Sequence, residues 1–261
     1  MKKYALLFII LSFMSAFALA DFKPEEKPIR GLNLDTAYVL PQWGVDFRIA
    51  LPDVTMPLTV GIFDGVQIST RSLLWATAAR VPNAGLKWNI AKESDNMPAF
   101  SVGGSGNWIT VRNIAVDGLA QPIDKVEVLY YNFSAYATKN FGYLTASTAF
   151  TYNKVNVHIT YTGYDSAQLD QLFYDALKVY TGVLDPTSMF TMSIILHYEV
   201  LQNLRLVAEG LVTLDEPYAY YLAFGLIWAV GDNFRLDSGI AYARAAQFHT
   251  GLPHLGLGLN F

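Results

Sequence analysis

The chain has no cysteine. Disulfides, thiol catalysis and cysteine-ligated metals are therefore excluded, and so is a lipid anchor on an N-terminal cysteine. Charge is scarce too. Asp, Glu, Lys and Arg make up 15% of the 261 residues, a small share for a water-soluble domain. What charge there is leans acidic, with 18 basic residues against 22 acidic, so a nucleic-acid partner is not expected. Histidines number four, and no EF-hand, His-x-x-x-His pair or phosphate-loop motif accompanies them. Neither a metal nor a cofactor is expected. Beyond residue 20 no run of about 18 apolar residues occurs, which excludes helical membrane spans.

Apolar side chains are nonetheless abundant: 52% of the chain, with 14% aromatic. A greasy chain without long greasy runs must set its apolar groups on alternate positions. A closed barrel lets such strands cross lipid with every backbone group paired.

The two ends are informative. Lys2 and Lys3 precede an apolar stretch from Tyr4 to Phe17, followed by Ala18-Leu19-Ala20. This is the layout of a cleaved signal peptide, residues 1–20, with Asp21 as the new N-terminus. Cleavage leaves 16 basic residues against 22 acidic. The chain closes on Leu255, Leu257, Leu259 and Phe261, with His254, Gly256, Gly258 and Asn260 between them. In these features the sequence resembles bacterial outer-membrane β-barrel proteins, with Pro253 as a departure where an aromatic is common. The resemblance implies an all-β, antiparallel up-and-down transmembrane barrel. It also implies that Leu257, Leu259 and Phe261 form an assembly signal read by the barrel-assembly machinery. The implied partners are that machinery and outer-membrane lipid.

The alternation can be followed strand by strand. Even positions hold the large groups in 189–200 (Phe190, Met192, Ile194, Leu196, Tyr198) and in 218–230 (Tyr220, Leu222, Phe224, Leu226, Trp228). Odd positions are small or ionisable: His197 and Glu199, Arg205 and Glu209, Ala223 and Gly225, Arg235 and Asp237. That is the apolar-out, polar-in pattern of a membrane barrel. Strands are expected near 43–51, 57–63, 66–75, 84–91, 97–105, 126–138, 142–152, 189–200, 204–214, 218–230, 234–244 and 253–261. The count is about 12, or 14 if 154–162 and 178–184 also cross. Residues 21–42 are read as a periplasmic lead-in, in which Leu32 to Leu40 has strand character, and 43–261 as the barrel. Aromatics near strand ends, such as Trp43, Tyr130, Tyr152 and Tyr198, suit membrane interfaces.

Short turns carry Asn before a new strand at Asn140, Asn203 and Asn233, and Asp64-Gly65 is a shorter relative. Parity sets register here. Opposed residues share a face, so a three-residue loop 201–203 sets Val200 against Leu204 and Glu199 against Arg205. The loop 231–233 likewise sets Val230 against Phe234 and Ala229 against Arg235. The expected partner of Arg235 is Asp237 on its own strand or an acid on a neighbouring one. Gly103-Gly104-Ser105-Gly106 reads as a flexible rim turn. Residues 165–181 place Leu169, Leu172, Phe173, Ala176, Leu177 and Tyr180 on one helical face, with Asp165 and Gln168 at its start. This short amphipathic helix packs on the rim or covers the lumen.

The inward ionisable residues are Asp46, Arg48, Lys87, Glu127, His197, Glu199, Arg205, Glu209, Arg235 and Asp237. They are candidates for the lining of a lumen. His197 with Glu199 is the nearest approach to an acid–base pair, and no nucleophile motif accompanies it, so no catalytic residue is assigned. The expected function is a narrow channel for small solutes. A structural or surface-interaction barrel with a closed lumen is the alternative, and an outer-membrane enzyme is a distant third.

Overall fold

The computed structural model describes residues 30–51, 55–73, 83–114, 123–162, 165–181, 188–215, 219–231, 233–245 and 248–260. The expected signal peptide, Phe261 and several loop tips lie outside the described residues. Twelve antiparallel strands follow one another in chain order and close into a barrel. They are β1 Val45–Leu51, β2 Thr55–Phe63, β3 Val66–Leu73, β4 Asn83–Ala91, β5 Ala99–Ile114 and β6 Ile123–Asn140. The circuit continues with β7 Leu144–Thr160, β8 Ser188–Leu201, β9 Leu204–Thr213, β10 Tyr220–Val230, β11 Phe234–Ala245 and β12 Phe248–Asn260. Closure pairs β1 with β12, from Asp46 opposite Asn260 to Leu51 opposite Leu255. The rim holding Val45 and Asn260 also holds the tight turns, and is here named the turn rim. The opposite one is the loop rim.

Burial alternates as the sequence pattern requires. Phe190, Ile194, Leu196 and Tyr198 are exposed on the outside of β8, while Thr191, Ser193, Ile195 and His197 are buried inside. β12 shows the opposite parity in number and the same arrangement in space: Leu255 and Leu257 outside, His254, Gly256 and Gly258 inside. Outward aromatics gather toward the rims. Trp43, Phe141, Tyr143 and Tyr198 stand exposed at the turn rim. Toward the loops lie the Tyr152–Phe190 and Tyr220–Tyr242 ring pairs. Tyr198 and Phe190 are separated along β8 by roughly 26 Å at ~3.3 Å per residue, or about 20 Å along the axis at a tilt near 40°. Tyr130 is a correction: it points inward, and its hydroxyl donates to Asn153 Oδ1 at 2.6 Å.

The strands overrun their expected ends on the loop side. β5, β6 and β7 extend well past 105, before 126 and past 152, and β12 begins at Phe248, not 253. The overrun is held by the ladder itself, for example Thr110 opposite Glu127 and Arg112 opposite Lys125. Such pairs lie beyond the apolar band, and the alternation of Val155, Val157 and Ile159 continues β7 without starting a further crossing. Gly103–Gly106 therefore lies within β5 and is no rim turn. Residues 154–160 prolong β7, so the count stays at twelve.

The helix α1, Ser166–Thr181, is capped by Asp165, whose Oδ1 accepts the Ala167 N–H at 2.9 Å. It packs along β7 at the loop rim. β8 starts opposite Lys154, so the β7 overhang lacks a strand on that side among the described residues. The helix takes that place. Asp170 Oδ1 accepts the Ile159 N–H, and the Tyr174 hydroxyl accepts the Val157 N–H, each at 2.6 Å.

Register follows the parity argument closely. Val230 faces Phe234, Ala229 faces Arg235 and Glu199 faces Arg205. One detail differs: Leu201, not Val200, faces Leu204, with a bulge between Glu199 and Leu201. The two-residue turn Gln202-Asn203 is tighter, and the bulge restores the parity.

Candidate functional site

A twelve-stranded barrel is wider than one whose wall side chains fill the interior, which occurs near eight strands. Here the chain supplies the filling. Residues 30–40 belong to no wall strand; they lie inside the lumen. They were read from sequence as part of a lead-in beyond the barrel, and this placement corrects that reading for the described part. The backbone enters at the turn rim, where the Trp43 N–H donates to Gly61 O. It rises to a turn at 31–34, closed by Gly31 N–H to Leu34 O, and Arg30 bridges back to Asp35.

Two apolar clusters anchor this plug. Leu32 is fully buried among Ile195, Val207, Ala223 and Ile227. Ala37, Tyr38 and Leu40 pack with Ala99. Space for Leu32 comes from the wall: a side chain at Gly225 would collide with it and with the neighbouring Ser238 carbonyl. The remaining attachments are polar and run mostly to the plug's backbone. Glu209 accepts the Asn33 N–H at 3.0 Å and the Leu34 N–H at 3.3 Å. Arg235 donates to Gly31 O at 2.9 Å, and Lys87 to Thr36 O at 3.1 Å. Thr138 Oγ1 accepts the Ala37 N–H at 2.7 Å, and Ser101 donates to Ala37 O. At the turn rim the Tyr38 hydroxyl donates to Glu93 at 2.6 Å. Burial and the Glu93 carboxylate hold that phenol protonated above its ordinary range.

Beneath the plug tip sits a buried ionic cluster. Arg30 pairs with Asp46. Asp237 receives Arg48 at 2.5 Å, Arg235 at 3.5 Å and His254 at 3.5 Å. Gly256 and Gly258 lie opposite Asp237 and Arg235, and a side chain at Gly256 would strike the Asp237 carboxylate. Of the ten inward residues named from sequence, the structure brings Asp46, Arg48, Arg235 and Asp237 into this cluster. Lys87 and Glu209 hold the plug instead. His197, Glu199 and Arg205 line one cavity of about 20 Å³ near the turn rim. Both His197 ring nitrogens are buried without a hydrogen-bond partner. Glu127 is a correction: it has the opposite parity to the inward Tyr130, Asn132 and Ser134 of β6, so it faces outward on the overhang, paired with Lys125 at 2.8 Å. Two cluster members, Arg30 and His254, were missed. Parity could have found His254, which shares a face with Gly256 and Gly258. Among the described residues, no three His or carboxylate groups converge as a metal site.

Above the plug the lumen widens into a vestibule of about 440 Å³. Its floor is the plug's Asn33, Leu34 and Asp35; its walls, from β3 to β9, carry amides, hydroxyls and glycines together with Lys87 and the apolar Leu86, Ile109, Ala149 and Leu211.

No protein-family model and no curated protein matches this chain. Similar folds occur among solved structures. The KdgM porin is 11% identical over 84% of this chain and 99% of its own, with a TM-score of 0.45. The translocator domain of the autotransporter NalP from Neisseria meningitidis is 13% identical over 84% and 86%, with a TM-score of 0.43. The outer-membrane expressed OmpT of Vibrio cholerae is 11% identical over 79% and 64%, with a TM-score of 0.42. Likenesses this distant carry no argument about activity.

Proposed function

We propose that this protein is an outer-membrane channel for small polar solutes whose lumen is closed at rest by its own residues 30–40. The apolar outer wall with aromatic groups toward both rims suits a bilayer. The turn rim then faces the periplasm and the loop rim the exterior. The observation that carries the channel reading is how the lumen is closed. No wall side chains cross it at the vestibule; the cavity ends on a separate piece of chain. That piece is attached by hydrogen bonds from wall side chains to its backbone and by no strand ladder, so it can leave without unfolding the wall. Several of these bonds come from charged Glu209, Arg235 and Lys87 and are worth about 1.5–3 kcal/mol each, which makes opening rare.

Insertion would follow the C-terminal strand, with lipid-facing Leu257 and Leu259 beside the terminal Phe261. Deleting Phe261 is expected to lower the yield of heat-modifiable barrel in the outer membrane far more than deleting a loop residue. Conduction is tested in planar bilayers with the refolded chain from Asp21 onward. Wild type should show rare, brief openings, and the plug-loosening Gly31→Val variant should show frequent ones, because its side chain would meet Glu209 and Ile195. Silence from both, with intact heat-modifiable folding, would establish the alternative of a closed structural barrel.

A further inference from the structure

We infer that the vestibule is a binding site for a neutral, polyhydroxylated solute of about disaccharide size. The inference shares its cavity with the channel reading but does not require conduction.

The polar lining is ordered. Opposed residues across neighbouring strands form continuous polar rungs. Ser105 on β5 faces Asn132 on β6, which faces Asn153 on β7. Below it, Ser134 faces Thr151, which faces Thr191 on β8. Hydrogen bonds within and between the rungs hold these groups. Asn132 Oδ1 accepts the Ser105 N–H at 3.2 Å. Asn153 donates to Thr191 Oγ1 at 3.3 Å, and Ser134 Oγ lies 2.8 Å from Thr151 Oγ1. These groups are fixed before any solute arrives, which lowers the ordering cost of binding. They are not exhausted. A carboxamide offers two N–H groups and two lone pairs, and Asn132 uses one of each, its N–H reaching Tyr130 Oη at 3.4 Å. Hydroxyls likewise both donate and accept. A surface with interleaved donors and acceptors matches a solute that carries a hydroxyl at most carbons.

The lining carries little charge. Only Asp35 and Lys87 among the lining residues are charged. Lys87 is committed to Thr36 O and lies 5.5 Å from the Tyr136 ring centroid, and Asp35 acts on it electrostatically. A charged solute would give up bulk water for neutral amides, a cost without an opposite charge to offset it. An apolar solute would strip water from the rungs and return no hydrogen bonds.

The cavity also has the room. Gly85 and Gly103 line it where a side chain would meet Ser69 or the Leu86 carbonyl. The resulting 440 Å³ lies within the range of about 300–1,000 Å³ for small-molecule sites.

The test is equilibrium dialysis of the folded chain from Asp21 onward in a sugar-free detergent, with labelled maltose, galacturonate and arginine as probes. Maltose should bind saturably and at least tenfold more tightly than either charged probe. Asn132→Leu with Asn153→Leu should weaken maltose tenfold or more. The hydroxyl-removing pair Ser134→Ala with Thr151→Val, which keeps the volume of Thr151, should weaken it severalfold and covers the case in which the first pair fails to fold. Absence of saturable maltose binding to wild type, tighter binding of a charged probe, or unchanged affinity in a folded variant would overturn the inference. Maltose binding with a silent bilayer removes only the channel reading; conduction without binding removes only this one.

Discussion

Glu209 shows how single residues hold the lumen closed. Its carboxylate accepts two successive plug N–H groups, those of Asn33 and Leu34. Hydrogen bonds to a charged group are worth about 1.5–3 kcal/mol each. Glu209→Gln keeps the shape and weakens both, so hydrogen exchange at Asn33 and Leu34 should accelerate by about tenfold or more, at ~1.4 kcal/mol per decade. Unchanged exchange at these amides would remove Glu209 from the account. Asp237 acts differently, because it joins wall to wall. Without its charge, Arg48 and Arg235 are left buried with no common anion. Breaking a buried pair on one side costs about 3–5 kcal/mol. Asp237→Asn should therefore lower the heat-modification midpoint markedly, and Arg48→Met added to Asp237→Leu should recover part of the loss. A midpoint for Asp237→Asn equal to wild type would contradict the role of the cluster. At this scale the sequence was partly legible. The inward facing of Arg48, Glu209, Arg235 and Asp237 follows from parity alone. Arg30 was invisible, because nothing periodic surrounds it and its partner Asp46 is set only by the lumen.

At the scale of elements, the legible part was whatever the apolar band dictates. One face against lipid forces alternation, so β8 to β11 were readable almost residue by residue, including the opposition of Glu199 and Arg205. The β5–β7 overhang was not, because its pairs are set by hydrogen bonding outside the band. The plug left one trace. The inner face of β10 is small, with Ala223 and Gly225 on it, and Leu32 occupies that space. A wall that supplies no bulk needs another piece of chain to fill it. The plug's own sequence could not announce this, since its backbone, more than its side chains, makes the contacts. The helix has a distinct task. It supplies Tyr174 and Asp170 to the backbone of the β7 overhang in place of a neighbouring strand. Tyr174→Phe removes one of these supports. Limited proteolysis should then cut within 155–162 faster, by several-fold, while the barrel core resists as before. Equal cutting rates would show that the helix does not hold the overhang.

For the whole molecule, the strand count determines the rest. Twelve strands leave more lumen than wall side chains fill and less than a wide aqueous pore has. The chain divides that space. The turn half is packed by residues 30–40 and the ionic cluster, and the loop half is a polar vestibule. Closure and solute recognition thus meet at one surface, since Asn33 and Asp35 belong to both plug and cavity floor. A solute held there touches the element that would have to move. The absence of native cysteine allows a clean lock. Ala37 lies beside Ser101, whose hydroxyl reaches its carbonyl, so a disulfide in Ala37→Cys with Ser101→Cys, verified first by loss of free thiol, would tie the plug to β5. The decisive measurement is single-channel current through this variant in one bilayer, first oxidised and then reduced. The account predicts silence while the disulfide holds and openings of wild-type character once it is reduced. Equal conductance in both states would show that residues 30–40 do not gate the lumen.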